Sequence, residues 1–250
     1  MRTCSAVLLS ISLVRAASAT DAQSRITHEG YEKDLKNFWD HADARFSHIE
    51  YNGHLKSEAH LRATWEKEWL GHFPVLDRYS VMEYGIGGGL LGEHLLTTRG
   101  ASHYVGIDIS TRQLEHAAER LARCCNYRYT LLRVNESLSD DLIAPFRPTV
   151  FVSQAVIQHF PSEAYVAAFL EVLSRAAVPH LMLQVRDDHV TRRTDVSYGA
   201  VTYSQLTSRS FLLSHLPMYC PRWSSIPSPS SGYTFYWLQL RGEGRDSCES

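Results

Sequence analysis

The stretch VMEYGIGGGLLGEH, residues 81 to 94, decides how this chain is read. An apolar run ends at the carboxyl of Glu83, glycines follow at 85, 87, 88 and 89, and a helix-forming segment begins at once with Leu90. A strand that runs into glycines and then into a helix brings backbone N–H groups and a helix N-terminus to the C-terminal edge of a sheet, with no side chains to keep a ligand away. Such a crevice is expected to hold a small molecule, and spacing bears on which one. Gly87-Gly88-Gly89-Leu90-Leu91-Gly92 satisfies the GxGxxG fingerprint of dinucleotide enzymes, whose glycines admit a pyrophosphate. Glu83-x-Gly85-x-Gly87-x-Gly89 instead sets an acid at the strand end, where it would repel a pyrophosphate and could hold an ammonium group. The second spacing favours a cationic ligand.

Outward from that stretch, β-rich runs recur at 79–84 (YSVMEY), 103–108 (HYVGID), 128–134 (RYTLLRV), 149–154 (TVFVSQ), 180–186 (HLMLQVR) and 233–240 (YTFYWLQL). Segments of helical period separate most of them. Ser110-Thr111-Arg112-Gln113 is a capping box, after which Leu114, Ala117, Ala118 and Leu121 share one face. Pro161 and Ser162 open a helix whose stripe is Tyr165, Phe169, Val172 and Leu173, and Ser204 to Leu213 reads as a shorter one. Strand and helix in alternation predict an α/β fold, a parallel sheet with helices on both faces. KDLKNFWDHADARF and SEAHLRATWEKEWL, both before residue 75, are expected as two amphipathic helices ahead of the sheet. The Pro-, Ser- and Gly-rich stretch 221–232 reads as a loop or hairpin connection before an aromatic last strand, expected to lie antiparallel.

The 250 residues, 44% of them hydrophobic, suffice for a full core in one domain. Lys and Arg (25) nearly balance Asp and Glu (27), for a net charge of −2. The basic field that a phosphate backbone requires is missing, so nucleic acid is not expected as a partner. The five cysteines form no CxxC pair and read as free thiols without structural zinc. No histidines show the i, i+4 spacing of a metal helix, and Asp187-Asp188-His189 reads as a solvated loop, so no metal is expected.

The N-terminal MRTCSAVLLSISLVRAASAT has Arg2, an apolar stretch from Ala6 to Val14 and an Ala17-Ser18-Ala19 step that suits signal peptidase. The absence of an acid before Asp21, with Arg15 and many Ser and Ala, equally suits an organelle transit peptide. It is too short to span a membrane, and the mature chain is expected to have no integral membrane segment. The alternative is an untargeted cytoplasmic chain with a frayed terminus. Asn135-Glu136-Ser137, the only N-glycosylation sequon, falls at the rim of the expected pocket, where a glycan would obstruct; this weighs against secretion. The expected organisation is a targeting peptide over 1–19, a helical cap over 20–74, a cofactor-binding domain over 75–242 and a disordered tail over 243–250.

EYGIGGG resembles the first motif of the class I S-adenosylmethionine-dependent methyltransferases, and YVGIDIS resembles their second strand, ending in an acid at Asp108. The resemblance covers about 75 to 240 and implies a Rossmann-like, doubly wound, mostly parallel seven-stranded sheet with an antiparallel last strand and N-terminal cap helices. It implies S-adenosylmethionine as cofactor, with Gly85, Gly87 and Gly89 lining its methionine and ribose part, Glu83 near its amino group, Asp108 on the ribose hydroxyls and Ile109 flanking the adenine. Asn135 or Glu136 would reach the adenine amino group. In SQAVIQHF, Ser153 and Gln154 would sit near the methionine end with His159 close by. The chain departs from the family at Pro148-Thr149, where an acid commonly opens the fourth strand.

Methyl transfer from a sulfonium asks the protein to align a nucleophile in line with the C–S bond and to exclude water. An oxygen or protonated amine acceptor also needs a general base, for which His159 is the nearest candidate; a thiolate, thioether or halide needs none. The acceptor is expected to be a small molecule bound above the sheet's C-terminal edge. Tyr31, Trp39 and His41 from the first helical region, with Arg186, Tyr198 and Tyr203, are candidates to line its pocket: aromatic walls suit a cationic centre and Arg186 suits a carboxylate. The competing readings are protein methylation, an NAD(P)-dependent oxidoreductase, and a methyltransferase-like binding protein without turnover.

Overall fold

A computed structural model of the chain describes residues 57–74, 76–124, 127–134, 138–160, 162–186, 207–225, 233–242 and 248. The expected targeting peptide, the first cap helix, and the candidates Tyr31, Trp39, His41, Asn135, Glu136, Tyr198 and Tyr203 lie outside the described residues.

Seven strands form one sheet: β1 (Ser80–Tyr84), β2 (His103–Asp108), β3 (Arg128–Arg133), β4 (Val150–Ser153), β5 (His180–Arg186), β6 (Tyr219–Ser224) and β7 (Tyr233–Leu240). Their order is β3-β2-β1-β4-β5-β7-β6. The pairs from β3 to β5 are parallel, and β7 runs antiparallel to both of its neighbours. The order reverses beside β1, which pairs β2 on one side and β4 on the other, and that is where a doubly wound sheet opens a crevice at its strand ends.

The helices are α1 (Glu58–Glu68), α2 (Leu90–Thr97), α3 (Thr111–Leu121), α4 (Asp140–Ile143), α5 (Glu163–Ala176) and α6 (Arg209–His215). Four of them start the same way. Ser57, Ser110, Ser162 and Ser208 each accept a hydrogen bond from the N–H three residues on, satisfying a donor that the helix cannot. The expected stripe of α5 is real: Phe169, Val172 and Leu173 are buried and Tyr165 is partly so, in a core with Phe151, Leu181 and Leu238. A second core on the other sheet face joins α1, α2 and α3 through Trp65, Leu91, Leu95, Ala117 and Leu121 to Val81 and Met182. Both faces of the sheet are thus covered, which is why β1 and β5 read as almost unbroken apolar runs.

Three readings of the sequence change. Residues 221–224, expected within a loop, belong to strand β6. Pro221 is tolerated there because β6 lies at the sheet's outer edge and its register shifts between Pro221 and Trp223, so no ladder donor is missed. The capping box at Ser110 is only half formed: Ser110 Oγ accepts from the Gln113 N–H, but the Ser110 N–H donates to Asp108 Oδ1 rather than to the Gln113 side chain. The cysteines are not all free. Cys220 and Cys248 form a disulfide, and Cys124 is a buried thiol, while Cys4 and Cys125 lie outside the described residues. Partners 28 positions apart carry no local spacing signal.

Among the described residues no helix is long and apolar enough to cross a membrane, and no cluster of His, Cys, Asp or Glu could hold a metal ion.

Phe169 packs its ring against Tyr84, Phe160 and Phe151 at centroid separations of 5.3, 5.1 and 5.9 Å. Phe169→Ala is expected to cost about 3–5 kcal/mol of stability, read as a lowered denaturant midpoint with the slope unchanged.

Candidate functional site

β1 carries the chain into Gly85, whose φ of 79° puts it in the left-handed region and whose absent Cβ makes room for the Val156 side chain, from the loop after β4. The Gly85 and Ile86 N–H groups both donate to the Ile107 carbonyl of β2, at 2.7 and 3.2 Å. Gly89 caps α2 at a φ of 75°, and a Cβ there would stand 2.9 Å from the Ala117 Cβ of α3. The loop is therefore turned back across the ends of β1 and β2 and pressed against α3.

Two acids face this loop. Asp108 ends β2, where Oδ2 accepts from the Gly87 N–H and Oδ1 from the Ser110 N–H, both at 2.9 Å. Glu83 lies buried on β1, 3% exposed, and accepts a 2.7 Å bond from the Tyr104 hydroxyl. Burial lifts the Glu83 carboxyl from its ordinary 4.5 to about 8; the Tyr104 bond opposes this and the Asp108 charge adds to it. Tyr104, Gly106 and Asp108 are alternate residues of β2 and share its face. A Cβ on Gly92 would collide with the Tyr104 ring, so this glycine of the GxGxxG match serves packing.

Arg120, in the last turn of α3, braces the loop from its far side. Its Nε donates to the Gly88 carbonyl at 2.9 Å, while its other nitrogens reach Glu58 of α1 at 2.7 and 3.1 Å and Glu93 of α2 at 3.0 Å. Arg62 of α1 closes the network on Glu93 at 2.7 Å.

Beyond β1 the rim continues through β4 and β5. Ser153 Oγ donates to the Tyr84 carbonyl at 3.4 Å, and half-buried Gln154 follows it. Ala155 has a φ of 55°, and its N–H donates to the Gln184 side chain of β5 at 2.7 Å. This turns the chain into a single helical turn, Ile157–His159. Burial, with the Arg186 charge adding to it, pushes the His159 imidazole down to about 4, so it is neutral at physiological pH. Arg186 is buried at the end of β5.

Gly87 and Asp108 are hydrogen-bonded at the ends of β1 and β2, Gly85 and Gly89 belong to the same loop, and Glu83 lies on β1 where it feels the Asp108 charge; Ser153 and Gln154 follow at the end of β4; His159 and Arg186 lie near one another beyond. Ile109 is partly buried against the apolar core. Tyr104, Arg120, Val156 and Gln184 were not anticipated. Only Tyr104 left a signal, its alternation with Asp108 on β2; the others meet the site through tertiary contacts. The Asp108 carboxylate makes the crevice hostile to a pyrophosphate, and the two carboxyls on adjacent strands suit a ligand bearing a cation and hydroxyl groups.

Residues 82–180 match the family model described as a methyltransferase domain. Among curated proteins the chain is similar to a nonribosomal peptide synthetase of Aspergillus flavus, 29% identical over 102 residues, which take in 40% of this chain and 1% of the synthetase. Among solved structures it resembles an S-adenosylmethionine-dependent methyltransferase of Leishmania major, with a TM-score of 0.61 and 14% identity over 84% of this chain and 83% of that one. It also resembles a phosphoethanolamine N-methyltransferase of Haemonchus contortus bound to phosphoethanolamine and S-adenosylhomocysteine, with a TM-score of 0.60 and 17% identity over 91% of this chain and 53% of that one.

The raised Glu83 pKa has a thermodynamic consequence. A carboxyl that holds its proton more tightly folded than unfolded contributes stability below its unfolded value, and that contribution is lost as pH rises through about 8. Glu83→Gln removes the titration and keeps an acceptor for Tyr104. The variant's melting temperature should therefore gain on the wild type as pH rises from about 6.5 to 8.5, a comparison in which the histidines titrate alike in both proteins. Parallel melting curves across that window would refute the burial argument.

Proposed function

We propose that this chain is a class I S-adenosylmethionine-dependent methyltransferase that transfers a methyl group directly to a small-molecule acceptor. The observation that carries the reading is the pair of acids, Glu83 and Asp108, set on adjacent strands against the glycine loop. The cofactor, S-adenosylmethionine, supplies an activated methyl group on a sulfonium.

In this reading the loop from Gly85 to Gly89 lies along the methionine and ribose part of the cofactor, Asp108 accepts from the ribose hydroxyls, and Ile109 flanks the adenine. The backbone bonds from Gly87 and Ser110 hold the Asp108 carboxyl in place for that contact. Glu83 serves the ammonium end, with Ser153 and Gln154 near it. Asn135 and Glu136 keep their assignment to the adenine amino group.

The acceptor then binds beyond β4 and β5, beside His159 and Arg186. Because His159 stays neutral down to about pH 4, it is available to take a proton throughout the physiological range. Its low proton affinity makes it a weak base toward a phenol or a protonated amine alike, both with pKa values of about 10, and favours an acceptor that is already ionised, such as a carboxylate held by Arg186. Tyr31, Trp39 and His41 remain the candidates for the far wall. The Cys220–Cys248 bond supports the secretory branch of the N-terminal reading, because disulfides persist in oxidising compartments.

The test is calorimetric titration with S-adenosylmethionine, S-adenosylhomocysteine and NADH in parallel. Dissociation constants on the order of micromolar for the first two, and no heat with NADH, are expected. Binding of NADH alone would replace this reading with the dinucleotide one. Asp108→Ala should weaken S-adenosylhomocysteine roughly tenfold or more, through loss of charge-assisted bonds to the ribose and of the brace on the loop. Unchanged affinity in a folded variant would remove Asp108 from the site.

A further inference from the structure

Glu83 is a buried acid with no cation beside it: among the described residues no ion pair includes it. Its Oε2 takes the Tyr104 bond and its Oε1 has no hydrogen-bond partner among the described residues. The arrangement is built in from three elements. β1 supplies the carboxyl, β2 supplies a fully buried tyrosine, and α2 supplies Gly92, the residue whose missing side chain admits the tyrosine ring. Burial holds the Tyr104 hydroxyl well above its ordinary pKa, so it remains a donor throughout.

The other groups on this face do not neutralise Glu83. β2 adds the negative Asp108, β4 contributes Val150 and Val152, and β5 contributes Met182. α2 contributes Leu90, Leu91 and His94, and the histidine is held on Glu66 of α1 at 2.7 Å. A carboxyl in such surroundings keeps its proton until a positive charge arrives.

We propose that Tyr104 is a positioning residue for cofactor capture: it fixes Oε2 of Glu83 so that Oε1 receives the ammonium of the incoming cofactor, and the proton held by Glu83 leaves to solvent. The inference rests on the cofactor reading above. The exchange balances: a carboxylic acid and an ammonium ion become a carboxylate–ammonium pair and one free proton, and the tyrosine keeps its own proton. Affinity therefore rises about tenfold per pH unit up to about pH 8, where Glu83 is already ionised in the free protein, and then levels off.

The experiment is titration calorimetry of the full chain with S-adenosylhomocysteine near pH 7, in buffers of differing ionisation enthalpy, with 5′-methylthioadenosine as the ligand lacking the ammonium. About one proton released with S-adenosylhomocysteine and none with 5′-methylthioadenosine is expected. Tyr104→Phe removes the donor that favours the carboxylate. It should weaken S-adenosylhomocysteine about tenfold near pH 7 and recover toward wild type as pH rises above about 8, which a merely structural loss would not do. Glu83→Gln should bind weakly at every pH with no proton release. Absence of S-adenosylhomocysteine binding to the wild type would overturn the cofactor reading itself. Binding without buffer-dependent heat, or a Tyr104→Phe affinity lowered equally at all pH values, would overturn the proton-linked capture while leaving the cofactor in place.

Discussion

The carboxylate of Asp108 is the point on which the site's geometry depends. One oxygen holds the Gly87 amide and the other holds the Ser110 amide, so a single charge ties the glycine loop to the end of β2 and to the first turn of α3. Hydrogen bonds to a charged group are worth about 1.5–3 kcal/mol each, enough to keep a loop of glycines in one conformation despite its entropy. Burial keeps Glu83 protonated, and the same Asp108 charge adds to the effect.

The opposite side of the loop is held by Arg120, which ties the Gly88 carbonyl to acids on α1 and α2. Exposed ion pairs contribute little, but this guanidinium is largely shielded, with side-chain exposure of 19%, and forks onto two carboxylates and a carbonyl at once. Glu58 lies in the first turn of α1, so the docking of the cap helix and the position of Gly88 are mechanically one arrangement. A helix outside the sheet thereby bears on the loop at its centre.

The sheet was legible in the sequence wherever both of its faces are covered. Runs such as HYVGID and HLMLQVR are apolar because helices bury them on both sides, and their bounds are met within a residue or two. β6 was hidden because an edge strand can carry Pro221, Arg222 and Ser224, residues that turn chemistry also favours. Within the site, Glu83, Asp108 and the glycines stood out because they lie within 26 residues of one another in two short motifs. Arg120, Gln184 and Val156 did not, since each reaches the loop across the fold. The Cys220–Cys248 bond escaped for the same reason.

The bare backbone of residues 85–92 owes less to a ligand than its composition suggests. Gly85 is kept clear by Val156, Gly89 by Ala117 and Gly92 by the Tyr104 ring, all of them protein side chains. A glycine fingerprint of this kind reports the tightness of a strand–loop–helix turn, and dinucleotide and sulfonium sites both require that turn. Glycine count therefore cannot separate the two ligand classes. The electrostatics can: a pyrophosphate would meet the negative charge of Asp108 and a buried carboxyl that offers it no cation, whereas an ammonium would draw Glu83 into its charged form and gain a partner. The side chain that distinguishes the ligands is Glu83, and the residue that keeps it in place is a tyrosine outside both motifs' glycines and acids.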